Sequence, residues 1–102
     1  MILDKKSTKK KIFELCMKHH VEKMFAFGSV LRADFNENFS DIDLLVEINF
    51  ESPIEKGEHL MQLWSELELL FNKKVDLLTS TSITNPILRK DIDDSKKLIY
   101  AA

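Results

Sequence analysis

The sequence predicts an α+β fold, a small mixed sheet packed with helices, and three observations carry that expectation. The stretch "SPIEKGEHLMQLWSELELLF" repeats apolar residues at three- and four-residue steps, the period of a helix. The stretches "VEKMFAFGS", "DIDLLVEINF" and "KKVDLLTS" are short, rich in β-branched, aromatic or leucine residues, and end on turn residues, as strands do. The first two follow one another across a polar loop, a direct strand-loop-strand step that allows an antiparallel pair inside a core shared with helices.

Taken in order, Ser7 or Thr8 is placed to cap a first helix running to about Lys18, with Ile12, Leu15, Cys16 and His19 on one face. A strand from Val21 or Lys23 to Phe27 is halted by Gly28, and a second spans Asp41 to Phe50. Ser52, Pro53 and Glu55 then spell a helix start, with cap, first-position proline and capping-box acid. Leu60, Leu63, Trp64, Leu67, Leu70 and Phe71 make the apolar stripe, and Asn72 suits the left-handed stop. Gly57 weakens the first turns by about 1 kcal/mol relative to Ala. "KKVDLLTS" is the third strand, Asn85-Pro86 opens a short helix to about Asp94, and "KKLIYAA" is the last strand.

With 102 residues, residues 1–102 are expected to form one domain with little room for two separate sites. The composition, 44% hydrophobic and 31% charged, is that of a globular protein, and no apolar run approaches the roughly 20 residues of a membrane span. The N-terminal segment lacks the apolar core of an export signal, and the single Cys16 can form no internal disulfide, so a reducing cytoplasm is the expected location. Fifteen Lys and Arg against seventeen Asp and Glu give a net charge of -2, which argues against direct nucleic-acid binding through the phosphate backbone. Lys5, Lys6, Lys9, Lys10 and Lys11 crowd the N-terminus and read as a solvated helix face.

The chemistry-bearing stretch is "FGSVLRADFNENFSDIDLL", where Asp41 and Asp43 alternate with Ile42 and Leu44. On a strand both carboxylates project from one face. At about 6 Å apart and an effective dielectric of about 20 they repel by roughly 3 kcal/mol, a cost that water or a cation must offset. Asp76 brings a third carboxylate from another strand. Three such acids suit a hard divalent cation such as Mg²⁺, and two ions can serve the attacking and leaving oxygens of a phosphoryl displacement. Asp76 is also a candidate acceptor for the proton of an attacking hydroxyl. Gly28 and Ser29 offer a close backbone approach and a hydroxyl to a phosphate, with Arg32 one turn further on. The "DIDDS" copy at Asp91 and Asp93 falls on a predicted helix, where residues two apart diverge, and reads as solvated surface.

These residues resemble the minimal nucleotidyltransferases of the DNA polymerase beta superfamily. The resemblance is carried by Gly28, Ser29, Arg32, Ser40, Asp41, Asp43, Leu44, Leu45 and Val46, then Val75, Asp76 and Leu77, with Ala33 where the family often has Gly. It implies the nucleotidyltransferase fold, with Asp41, Asp43 and Asp76 as catalytic metal-binding residues for Mg²⁺, expected as two ions. It also implies ATP as donor, AMP transfer to an acceptor hydroxyl, and a triphosphate held by Gly28 and Ser29. Members this short resemble antitoxins that adenylylate a tyrosine of a cognate HEPN-domain toxin, so such a toxin is the expected partner. The alternative is a non-catalytic antitoxin that neutralises its toxin by binding alone; three facing carboxylates favour the enzyme.

Other candidates have plainer readings. His19 and His20 diverge on a helix and His59 is remote in sequence, so all three are expected at the surface or boundary, without metal-ligand spacing. Trp64, Phe13 and Phe71 are expected in the core, as is Cys16, and Tyr100 is expected to pack. Ser29 has no base to make it a nucleophile, and Glu47 shares the face of Asp41 and Asp43.

Overall fold

The computed structural model describes residues 2–31 and 41–102, with the side chains of all of these except Ile2 and Ser29; Arg32, Ala33 and Ser40 lie outside the described residues. Among the described residues, three helices and four strands run in the order α1 (Lys6–Lys18), β1 (Val21–Phe27), β2 (Ile42–Ile48), α2 (Pro53–Phe71), β3 (Val75–Thr79), α3 (Pro86–Ser95) and β4 (Lys97–Ala101). Short 3-10 turns stand at Ile2–Asp4, Gly28–Leu31 and Ser80–Ser82.

Local sequence chemistry accounts for the helix ends. The Ser52 hydroxyl accepts from the Glu55 N–H, Pro53 occupies the first turn, and Asn72 closes α2 in the left-handed region at φ 51°. Asn85 caps α3 by accepting from the N–H groups of Ile87 and Leu88. Helix α1 differs from expectation: it starts at Lys6 with an extended Lys5 as its cap residue and no side-chain cap bond, so Ser7 and Thr8 lie inside the first turn. The start is set instead by the preceding turn, which buries Leu3 in the core.

The sheet order is β3-β2-β1-β4, with β2 and β3 parallel and the other two pairs antiparallel. Two parallel crossovers follow, β2-α2-β3 stepping outward on one side and β3-α3-β4 returning across the whole sheet. Both are expected to be right-handed, and because they step in opposite directions their helices must lie on opposite faces. Helices α1 and α2 share the main core with Met24, Ala26, Ile42, Leu44 and Val46, where Leu63 and Leu67 are fully buried. Helix α3 therefore takes the other face, and Leu45 and its own Ile92 are buried there, outside the main cluster.

Between α1 and α2 one histidine departs from the surface-or-boundary reading, whereas His20 is exposed and His59 half-buried, as expected. His19 is fully buried; its Nε2 lies 2.8 Å from Glu66 Oε1 and its Nδ1 2.9 Å from His59 Nδ1. Glu66 accepts from the Nε2–H of His19, and one hydrogen is shared between the Nδ1 atoms of His19 and His59. His59 also stacks on Phe50 at 4.4 Å, and Lys18 reaches Glu66 from outside. Their separation in sequence, 19 against 59 and 66, hid a cluster that only helix pairing creates. Partial burial raises the Glu66 carboxyl, but hydrogen bonds from His19 and Lys18 and the pull of their charges outweigh it and hold it below its usual 4.5. A depressed folded-state value means stability fully present above about 4.5 and lost as pH falls through the lower folded value. The gap in thermal midpoint between wild type and Glu66→Gln should therefore narrow between about pH 6 and about pH 3; a constant gap would contradict the assignment.

Phe71 is buried as expected, whereas Phe13 and Trp64 are 53% and 40% exposed. Phe13 packs edge-on against Tyr100, and the Trp64 indole N–H donates to the Val75 carbonyl, a polar bond that places the ring at the sheet edge instead of beneath it. Cys16 is fully buried, and burial pushes its thiol up to about 12. No described helix is long and apolar enough to cross a membrane.

Candidate functional site

Strand alternation turns Ile42, Leu44, Val46 and Ile48 into the main core and leaves Asp43, Leu45 and Glu47 on the face crossed by α3. Asp43 stands directly opposite Asp76 in the parallel β2–β3 register, so the two carboxylates share that face one strand spacing apart, about 4.8 Å at the backbone. The sequence draws the eye to Asp41 and Asp43. The closer pair is 43 with 76, set by the register of two strands that 26 residues of loop and helix separate in the chain, from Asn49 to Lys74.

Helix α2 fixes β3 from outside. The Val75 N–H donates to Glu68 Oε2 at 3.0 Å, and its carbonyl accepts from Trp64. Val75 itself points into the core at 0% exposure, which turns Asp76 out. Asp41 immediately precedes β2; the next residue, Ile42, donates its N–H to the Lys74 carbonyl at 3.1 Å, and Lys74 Nζ lies 4.0 Å from Asp41 Oδ2. Lys74, unremarked in the sequence, thus brings a positive charge to the outer end of the acid row. Glu47 is half-buried on the same face, at the far end of β2, in a hollow of about 290 Å³ with Lys56 and Thr81.

On the other side of Asp43 the partner is Phe27, the last residue of β1, and Gly28 follows at φ 72°, a region L side chains rarely occupy. A Cβ added at Gly28 would lie 2.5 Å from Asp43 Oδ2. The glycine is required twice over, once for its backbone angle and once because the carboxylate occupies the space of a side chain. The turn and the acid are therefore in contact. Of the six residues singled out by sequence, Gly28, Asp41, Asp43 and Asp76 are seen around one end of β2; the Ser29 side chain and Arg32 lie outside the described residues.

The donor set fits Mg²⁺: it is all oxygen, two facing carboxylates in register with a third beside them. Among the described residues no three His, Cys, Asp or Glu side chains already close into a metal cage.

The family described as "Polymerase beta, Nucleotidyltransferase" matches residues 10–102. The chain is 39% identical over 83 residues to "Putative protein adenylyltransferase MJ1379" of Methanocaldococcus jannaschii, covering 81% of this chain and 79% of that protein. Its fold is similar to that in a crystal structure of a toxin–antitoxin with AMP-PNP (TM-score 0.63, 24% identity, 92% of this chain and 73% of that one). It is also similar to a chain in the structure of tri-AMPylated Shewanella oneidensis HEPN toxin in complex with MNT antitoxin (TM-score 0.56, 23% identity, 92% and 70%). These two likenesses establish the fold. With the family matched from residue 10 to the last residue and the expected α+β architecture in place, this chain belongs to the polymerase beta nucleotidyltransferase family and is a nucleotidyltransferase.

Proposed function

We propose that the protein is an Mg²⁺-dependent protein adenylyltransferase that moves AMP from ATP onto a hydroxyl, a tyrosine in our reading, of a cognate HEPN-domain toxin, and so acts as its antitoxin in the cytoplasm. The observation that carries the proposal is the contact between the Gly28 turn and Asp43, with Asp76 opposite in register. Support for the acceptor comes from relatives named "Putative protein adenylyltransferase" and from the fold shared with a chain in the complex of a tri-AMPylated HEPN toxin with an MNT antitoxin.

In this reading Gly28 and Ser29 hold the triphosphate, Arg32 adds a further cation, and Asp41, Asp43 and Asp76 hold Mg²⁺. When bound, the metal supplies positive charge for the attacking and leaving oxygens. The acceptor hydroxyl oxygen forms a bond to the α-phosphorus, the bond to the bridging oxygen of the β-phosphate breaks, and pyrophosphate leaves. The hydroxyl proton passes to the Asp76 carboxylate. Lys74, beside Asp41, offsets negative charge at the outer end of the site.

The test is incubation with the cognate toxin, Mg²⁺ and ATP labelled at the α- or the γ-phosphate. Label from the α-position should appear on the toxin, label from the γ-position should not, and chelation of the metal should stop transfer. Suppression of toxicity without any α-label on the toxin would replace this reading with neutralisation by binding alone.

A further inference from the structure

The registers of the four strands line up into one transverse row. Asp76 stands opposite Asp43, and Asp43 opposite Phe27. On the far side of β1, Phe25 faces Leu98 and Ala26 faces Lys97, the first residue of β4; Lys96, extended and immediately before it, lies one residue further toward the Phe27 end of β1. Lys96 Nζ lies 4.4 Å from the centroid of the Phe25 ring, and Phe25 pairs with Leu45, whose side chain shares the face of Asp43. The acids and this lysine thus lie on one face of the sheet, with the Gly28–Leu31 turn leaving the end of β1 between them. Two strand spacings of about 4.8 Å separate the backbones of Asp43 and Lys96, roughly 10 Å in all, a gap a bent triphosphate can span.

We propose that Lys96 binds the β- and γ-phosphates of the nucleotide, on the side of the Gly28 turn opposite the carboxylates. The inference rests on the nucleotidyltransferase reading above and adds a ligand to it. A polyphosphate approaching Asp43 and Asp76 meets two like charges, which metal ions offset on that side only. The distal phosphates, extending the other way past the turn, need a second positive group, and Lys96 is placed to be it.

The ammonium is already oriented. Asp93 Oδ1 accepts from Lys96 Nζ at 2.9 Å, and Arg89 Nε lies 3.8 Å from the other Asp93 oxygen. The hydrogen bond from Lys96, then the charges of Lys96 and Arg89, hold the Asp93 carboxyl below its usual value. An ammonium has three donors, so one bond to Asp93 leaves others for phosphate oxygens. The Lys96 side chain is 25% exposed, with its ammonium held between the Phe25 ring and Asp93. Asp93, which in sequence reads as solvated surface, becomes the residue that positions Lys96.

Calorimetric titration of the full chain with ATP and with AMP, in Mg²⁺, tests this without reference to turnover. Lys96→Met keeps the stem and removes the charge; it should raise the dissociation constant for ATP about tenfold, as expected for one charge-assisted hydrogen bond, and leave that for AMP unchanged. Lys96→Arg should remain within about threefold of wild type for both. Lys10→Met, on the exposed face of α1, is the charge control and should change neither. Wild-type ATP affinity in Lys96→Met overturns the proposal, as does an equal loss for ATP and AMP, which would mark general damage. Failure of wild type itself to bind ATP would bring down the parent reading, and this one with it.

Discussion

Asp43→Asn should reduce transfer of AMP to the toxin by about 10³-fold or more, the scale expected when a group worth several kcal/mol to the transition state is lost. Asn has the same shape, so the β2–β3 register and the contact with Gly28 persist, but its amide neither carries charge nor holds Mg²⁺ as a carboxylate does. The substitution also removes one of two like charges facing each other across the strands, so the folded state should stay within about 1 kcal/mol of wild type. Activity and stability therefore part company. Quantifying toxin labelling beside a thermal melt checks both, and a variant that labels the toxin at the wild-type rate would show that the acid pair is not the catalytic centre.

Gly28→Ala should be nearly as damaging to transfer, at least about 10²-fold, by a different route. The backbone angle of 72° costs an alanine about 1–2 kcal/mol, and the new methyl would sit 2.5 Å from Asp43 Oδ2, far inside contact distance. The carboxylate must move or the turn must open. Unlike Asp43→Asn, this variant should lose both stability and activity, with Mg²⁺-dependent ATP binding weakened at the same time. An alanine variant with the wild-type melt and wild-type labelling would mean that the turn carries neither constraint.

Much of this molecule was legible in the chain because its signals are local. Ser52-Pro53 and Asn85-Pro86 mark helix starts, Asn72 marks a stop, and the alternation around Asp43 separates the main core from the opposite face, each through chemistry within a few residues. What escaped depends on partners distant in sequence. His19 reads as a boundary residue until α2 brings His59 and Glu66 against it. Trp64 fits a core stripe until the Val75 carbonyl draws its indole to the edge. The lateral pairing of Asp43 with Asp76, and the place of Lys96 in the same row, follow from strand register, which no short window of sequence encodes.

The bonds that hold β3 in place also decide how a large molecule can approach. Val75 turns its amide and carbonyl outward, where Glu68 and Trp64 engage them; at Thr79 the Ser82 hydroxyl accepts from the amide and donates to the carbonyl. Leu77 is left between two capped positions, too short a ladder for a foreign β-segment to join. β-Augmentation, whether by a target peptide or by fibre-forming copies of the chain, is therefore closed on this flank, and the proposed protein acceptor would reach the acids by another approach than pairing with β3.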